Sequence, residues 1–154
     1  MRKTIAAVVI AGLSAIPATA QYKPVKPNAP GSPVKMAPGV TPDAVRSVRR
    51  ITVDEAVKLV NSGKAVYVDV RSTEQYEKGH IKGAISMPQS QMVKRLRDVP
   101  AGMTLITYCA CSAEQSSGRA VLQLAAHGVK NAVALTGGWD AWNRKGLPTA
   151  VGKN

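Results

Sequence analysis

The stretch TLITYCACSAEQSSGRAVLQLAAHG, Thr104 to Gly128, decides the architecture. It opens as a short apolar run, Met103 to Tyr108, which reads as a buried strand. It closes as a helix carrying Val121, Leu122, Leu124 and Ala125, stopped at Gly128, with His127 suited to the negative C-terminal end. Between strand and helix lie both cysteines of the chain, Cys109 and Cys111. A thiol attacks as its thiolate, which needs positive potential. The free N–H groups opening the helix, expected around Ser116 to Arg119, supply that potential, and successive loop amides form an anion-binding concavity. A disulfide across one intervening residue closes almost no loop and adds little stability, so the pair calls for a chemical reason rather than a structural one.

Outward from this unit the same alternation recurs. Thr52 and Glu55 form a capping box for a helix with Val53, Ala56, Val57 and Val60 on one face, ended by Gly63. AVYVDV, Ala65 to Val70, is a buried strand. Ser72 and Gln75 cap a brief helix that stops at Gly79, AISM before Pro88 is a short strand, and Ser90 to Arg97 reads as a polar-faced helix. Val133 to Leu135 is a strand, and Gly137-Gly138 turn the chain into a helix from about Trp139 to Lys145. Short strands alternating with helices imply a mainly parallel sheet covered on both faces, with ligands at the carboxyl ends of its strands. Asp69 with Arg71, and Cys109 with Cys111, both occupy such ends.

The N-terminus reads as an address. Arg2 and Lys3 precede the apolar run Ile5 to Ile16, and Ala18-Thr19-Ala20 is a small-x-small cleavage site before Gln21. Residues 1–20 are thus expected to be a signal peptide, leaving a periplasmic or secreted protein with no stable membrane span. Residues 21–48 read as a Pro-rich linker or tail, with six of the ten prolines between Pro24 and Pro42. The formal charge is +12, and loss of Arg2 and Lys3 leaves +10. The cations are scattered, without aromatic interleaving or a recognised motif, so a solvated basic surface is the expected reading and nucleic acid is not an expected partner. A single C-x-C and two distant histidines lack metal-site or haem-attachment spacing, so no metal is expected.

DVRSTEQYEKGHIKGAISMP (Asp69–Pro88), LITYC (Leu105–Cys109), LTGGWDAW (Leu135–Trp142) and GLP (Gly146–Pro148) follow one another in the chain. In that order they resemble the rhodanese homology pattern, with its DVR, acidic-aromatic pair, GHI-x-GA, cysteine strand and C-terminal turn and helix. The resemblance runs from Ile51 to the C-terminus and implies a rhodanese-like domain over residues 49–154. The implied fold is α/β, a mainly parallel five-stranded sheet with helices on both faces, and the composition of the residues before it adds a disordered Pro-rich segment. It further implies a sulfurtransferase without a cofactor. The family's cysteine takes a sulfane sulfur from thiosulfate or a persulfide or polysulfide, holds it as a persulfide, and passes it to cyanide or a thiol, small or protein-borne.

Counting forward from the strand makes Cys109 the nucleophile, while counting back from Gly128 favours Cys111, which otherwise serves as a resolving thiol. The loop amides and hydroxyls of Ser112, Ala113, Glu114, Gln115, Ser116 and Ser117, with Arg71 and Arg119, are the candidate substrate-binding groups. Asp69, His80, Gly137, Gly138 and Trp139 are read as structural. The loop departs from the family pattern: it has no Gly in the turn and no Arg before Arg119, and Glu114 would repel an anion if it faced inward. That disfavours thiosulfate relative to persulfides or polysulfides. It also disfavours phosphatase or arsenate-reductase chemistry, because Gln115 and Ser117 stand where those relatives need a guanidinium. The motifs do not guarantee turnover, so a Cys109/Cys111 thiol–disulfide redox protein and a non-catalytic binding module of the same fold are the competing readings.

Overall fold

The computed structural model describes residues 40–110 and 114–153. The elements in chain order are α1 (Pro42–Ser47), β1 (Arg50–Ile51), α2 (Val53–Asn61), β2 (Ala65–Asp69), α3 (Thr73–Lys78), β3 (His80–Ile81), β4 (Ile85–Ser86), a 3-10 helix (Met92–Asp98), β5 (Thr104–Tyr108), α4 (Gln115–Ala126), β6 (Ala132–Leu135), α5 (Gly138–Arg144) and β7 (Thr149–Ala150). Five strands form one sheet in the order β1-β6-β5-β2-β4, with every neighbouring pair parallel. β3 and β7 pair antiparallel as a small second sheet.

Strand periodicity divides the core into two layers. Ile106, Tyr108, Val133 and Leu135 face one layer with Val53 and Ala56 of α2 and Trp142 of α5. Leu105, Cys109, Ala132 and Ala134 face the other with Ala120, Val121 and Leu124 of α4 and Met92 of the 3-10 helix. Successive strand residues point to opposite faces, so placing Tyr108 in the first layer commits Cys109 to the α4 side. Both expected capping boxes are present, Thr52 with Glu55 on α2 and Ser72 with Gln75 on α3. They satisfy orphan amides at helices too short to be stable alone.

Three local expectations are corrected. The linker expected up to residue 48 gives way at Pro42–Ser47 to α1, capped by Thr41 and packed on α4 with Val45 buried. The helices approach so closely that a Cβ on Gly118 would lie 2.8 Å from Val45 Cγ1. A proline at the first helical turn starts a helix as readily as it marks a linker, and that ambiguity concealed α1. The expected signal peptide, residues 1–20, and residues 21–39 lie outside the described residues. The helix expected over Ser90–Arg97 is 3-10 over Met92–Asp98, with a break in helical backbone at Arg95. α4 starts at Gln115, so its first amides are Gln115 to Ser117, ahead of the expected Ser116 to Arg119.

Candidate active site

The topology marks one crevice. From β2 the chain moves outward to β4, whereas from β5 it moves the opposite way to β6. The carboxyl ends of β2 and β5 therefore flank the point where the strand order reverses, which is where open α/β sheets hold ligands. A cleft of about 260 Å³ lies there, lined by Val70, Arg71, Gln75, Cys109, Ala110 and Ser116. A larger cleft of about 520 Å³ beside β4, with Thr73, Gln91 and Arg95 in its lining, contains no thiol among its described residues. The Cys109 thiol lies in the smaller one.

Cys109 directly follows β5 and is 3% exposed. Its Sγ lies 3.8 Å from Ser117 Oγ in a weak contact with the thiol donating, and that hydroxyl donates to the Glu114 carbonyl at 2.9 Å. The Cys109 carbonyl accepts from the Trp139 N–H at 2.9 Å. Gly138, at φ +50°, lies flush against this peptide, and a Cβ there would come within 2.2 Å of the Cys109 oxygen. Only glycine permits that approach. The turn entering α5 therefore fixes the Cys109 backbone, beyond the sharp reversal expected of Gly137 and Gly138.

The opposite wall is built from β2. Asp69 Oδ2 accepts from Arg71 Nη2 at 2.6 Å, and Arg71 Nε reaches both carboxylate oxygens at 3.0 and 3.1 Å. Arg71 Nη2 also donates to the Gly79 carbonyl at 2.6 Å. The guanidinium stands 4.6 Å from the centroid of the Trp139 ring and 5.6 Å from that of Tyr108. Burial opposes the charge on Arg71, but the hydrogen bonds and negative charge of Asp69 more than offset it and hold the group above its ordinary range. Tyr108, register partner of Asp69, has its phenol driven well up, by burial first and by the Asp69 charge second. Its oxygen accepts from the Ile81 N–H at 3.1 Å.

The structure thus brings Arg71, Cys109 and Ser116 to one cleft, with Ser117 buried directly behind it. Gln115 and Arg119 are exposed and do not line it. Cys111, Ser112 and Ala113 lie outside the described residues. Glu114 does not act as feared: its carboxylate accepts from Arg50 Nε at 2.8 Å and from the Gly137 N–H at 2.5 Å, so its charge is neutralised by a partner. His80 is fully buried, stacked on Tyr76 at 3.7 Å, with Nδ1 2.9 Å from the Tyr76 carbonyl. That contact assigns the ring proton to Nδ1, and Nε2 is buried without a hydrogen-bond partner among the described residues. Trp139 packs as expected but also caps the Arg71 guanidinium. The sequence reading missed Gln75, assigned only to capping, and Arg50, which has no motif around it. Among the described residues no three His, Cys, Asp or Glu side chains gather to hold a metal ion.

Comparison with known proteins agrees with this fold. A solved Rhodanese-like domain from Anabaena sp. superimposes with a TM-score of 0.59 at 28% identity, covering 66% of this chain and 78% of that one. An uncharacterized protein of Synechocystis sp. is 37% identical over 89 residues, covering 58% of this chain and 49% of the relative, so this chain spans about half that relative's length. An uncharacterized protein of Buchnera aphidicola is 33% identical over 106 residues, covering 64% and 67%. The family model for the Rhodanese-like domain matches residues 52–145, which is more than half of the sequence, and the chain belongs to the rhodanese-like domain family.

Proposed function

We propose that the protein is an exported sulfurtransferase that moves a sulfane sulfur through a persulfide on Cys109 to a thiol or cyanide. The observation that carries the reading is Cys109 at the end of β5, in a cleft it shares with Ser116 of α4's first turn. In the first step the Cys109 thiolate attacks the outer sulfur of the donor. The S–S bond of the donor breaks, sulfite leaves from thiosulfate or a thiolate from a persulfide, and Cys109 retains the sulfur as a persulfide anion. In the second, an acceptor thiolate or cyanide attacks that terminal sulfur and the Cys109 thiolate departs with the electron pair. This is covalent catalysis in two displacements, with helix amides favouring the anionic states.

Persulfides and polysulfides rank ahead of thiosulfate as donors. A sulfonate gains most from a free guanidinium fork, and Arg71, the guanidinium that lines the cleft, has Nε and Nη2 occupied by Asp69 and Gly79. The export part rests on the N-terminal pattern, and no helix among the described residues is long and apolar enough to cross a membrane. It predicts a mature chain beginning at Gln21, read by its mass after expression with the leader.

Intact mass after incubation with thiosulfate or a polysulfide tests the chemistry. One added sulfur, mapped to Cys109 and absent from Cys109→Ser, is the expected outcome; no gain with any donor removes the reading. Persistent transfer in Cys111→Ser would make the second thiol dispensable, whereas its loss would favour a dithiol cycle.

A further inference from the structure

Glu114 breaks two local preferences at once. It is the one non-glycine residue with positive φ among the described residues, at +50°, a backbone state unfavourable outside glycine. It is also the N-cap of α4, yet its side chain makes no capping bond. An N-cap acid ordinarily folds back onto the helix amides. This one turns away, and a strained residue persists only where its surroundings hold it.

Those surroundings come from distant parts of the chain. The Glu114 carboxylate, 12% exposed, takes Arg50 Nε and the Gly137 N–H, and the remaining nitrogens of Arg50 reach the carbonyls of Arg46, Val48 and Val45 around the C-terminal end of α1. Two routes then connect Glu114 with Cys109. Through Gly137 it holds the turn whose Gly138 and Trp139 bear on the Cys109 carbonyl. Through its own carbonyl it orients Ser117, whose hydroxyl meets the Cys109 sulfur.

We infer that Glu114 is a positioning residue: locked to Arg50 and Gly137, it fixes the first turn of α4 against Cys109 while leaving that turn's amides to the sulfur anion. The inference rests on the sulfur-transfer reading for its purpose, but its geometry can be tested apart from it. It also gives α1 a role, since the helix helps to hold the arginine that holds the acid.

Two measurements on the whole protein test it, with Glu114→Ala, Glu114→Gln, Arg50→Ala and the Arg50→Ala/Glu114→Ala double variant. The first is the pH dependence of iodoacetamide alkylation, read at Cys109 by peptide mass. Deleting a nearby carboxylate acts through space to move a thiol's midpoint down, whereas loss of amide alignment moves it up. An upward shift of about 0.5 pH unit or more in Glu114→Ala is expected. A downward or absent shift overturns the inference. The second is sulfur transfer per folded molecule, well below the melting temperature. Glu114→Ala should lower kcat and kcat/KM together by about tenfold, as expected when reacting groups are misplaced. Glu114→Gln, which retains an acceptor for the Gly137 N–H, should keep more activity, and the double variant should be no worse than Glu114→Ala. Unchanged rates, or additive losses, would leave only a stabilising contact. If Glu114→Ala does not fold, Glu114→Gln carries the same sign test at reduced amplitude. If the wild-type protein takes up no sulfur, the functional reading fails while alkylation still decides the positioning.

Discussion

The two walls of the cysteine cleft are held in different ways. On the β2 side, Asp69 and Arg71 are two residues apart, bonded through three side-chain contacts, with side chains 0% and 6% exposed. On the β5 side, Cys109 is placed by Trp139, Gly138, Ser117 and Glu114, and Glu114 depends on Arg50, 64 residues earlier, and Gly137, 23 residues later. The first wall is a local device, formed wherever a strand delivers D-x-R to a buried end. The second forms only once α1, β6 and α5 have docked. Cys109 therefore sits on the wall that depends on the whole fold, facing one whose ion pair is set by its own strand end and is covered by Trp139.

The largest effect should come from breaking the local wall. Asp69→Ala leaves a buried guanidinium without its carboxylate and should cost about 3–5 kcal/mol in denaturant unfolding. A loss below about 1 kcal/mol would mean that Gly79 and Trp139 suffice to hold Arg71. Next is the distributed wall. Gly138→Ala drives a methyl into the Cys109 carbonyl, and should cost about 2–3 kcal/mol and suppress Cys109 alkylation. Gly102→Ala is the control: its φ is also positive, at +79°, but no atom lies within 4 Å of the added Cβ, so only about 1 kcal/mol of backbone strain is expected.

Smaller again is the response to alkali, which reaches both walls through buried phenols. Burial pushes Tyr67 from 10.0 up to about 12, and Tyr108 is also driven up. A raised folded-state value means that the folded chain holds its proton more tightly than the unfolded one. The resulting stability is complete below pH about 10 and is lost as pH rises through the folded values. The unfolding free energy from urea titrations should be flat from about pH 7 to 9 and fall by roughly 2 kcal/mol by about pH 11, with Tyr67→Phe reducing the fall. Least of all should be Arg46→Ala. Its pair with Asp43 is 74% and 86% exposed, and pairs of this kind contribute a few tenths of a kcal/mol. A loss well beyond about 0.5 kcal/mol would show that α1 is secured by more than its packing and Arg50.

The parallel α/β architecture was legible because its signals are local. Short apolar runs in AVYVDV and TLITYC, capping boxes at Thr52 and Ser72, and glycines at the helix ends each constrain a few adjacent residues, and the structure contains the corresponding elements. Cys109 at a strand end, Asp69 beside Arg71 and a sharp turn at Gly137-Gly138 were legible for the same reason. α1 was not, since Pro42 in a proline-rich composition suits linker and helix start equally. The two-residue strands β1, β3 and β7 were not, since pairs so short carry no periodicity and exist only because a neighbour supplies their hydrogen bonds.

Glu114 marks the boundary between the two kinds of knowledge. The sequence determined that an acid would stand at the mouth of α4, close to a cysteine, and local electrostatics alone would set it against an anion. Only the tertiary structure decided that the carboxylate turns to Arg50 and Gly137 instead. The physical reason is that a charge's effect depends on its nearest partner in space, and that partner is chosen by packing between segments far apart in the chain.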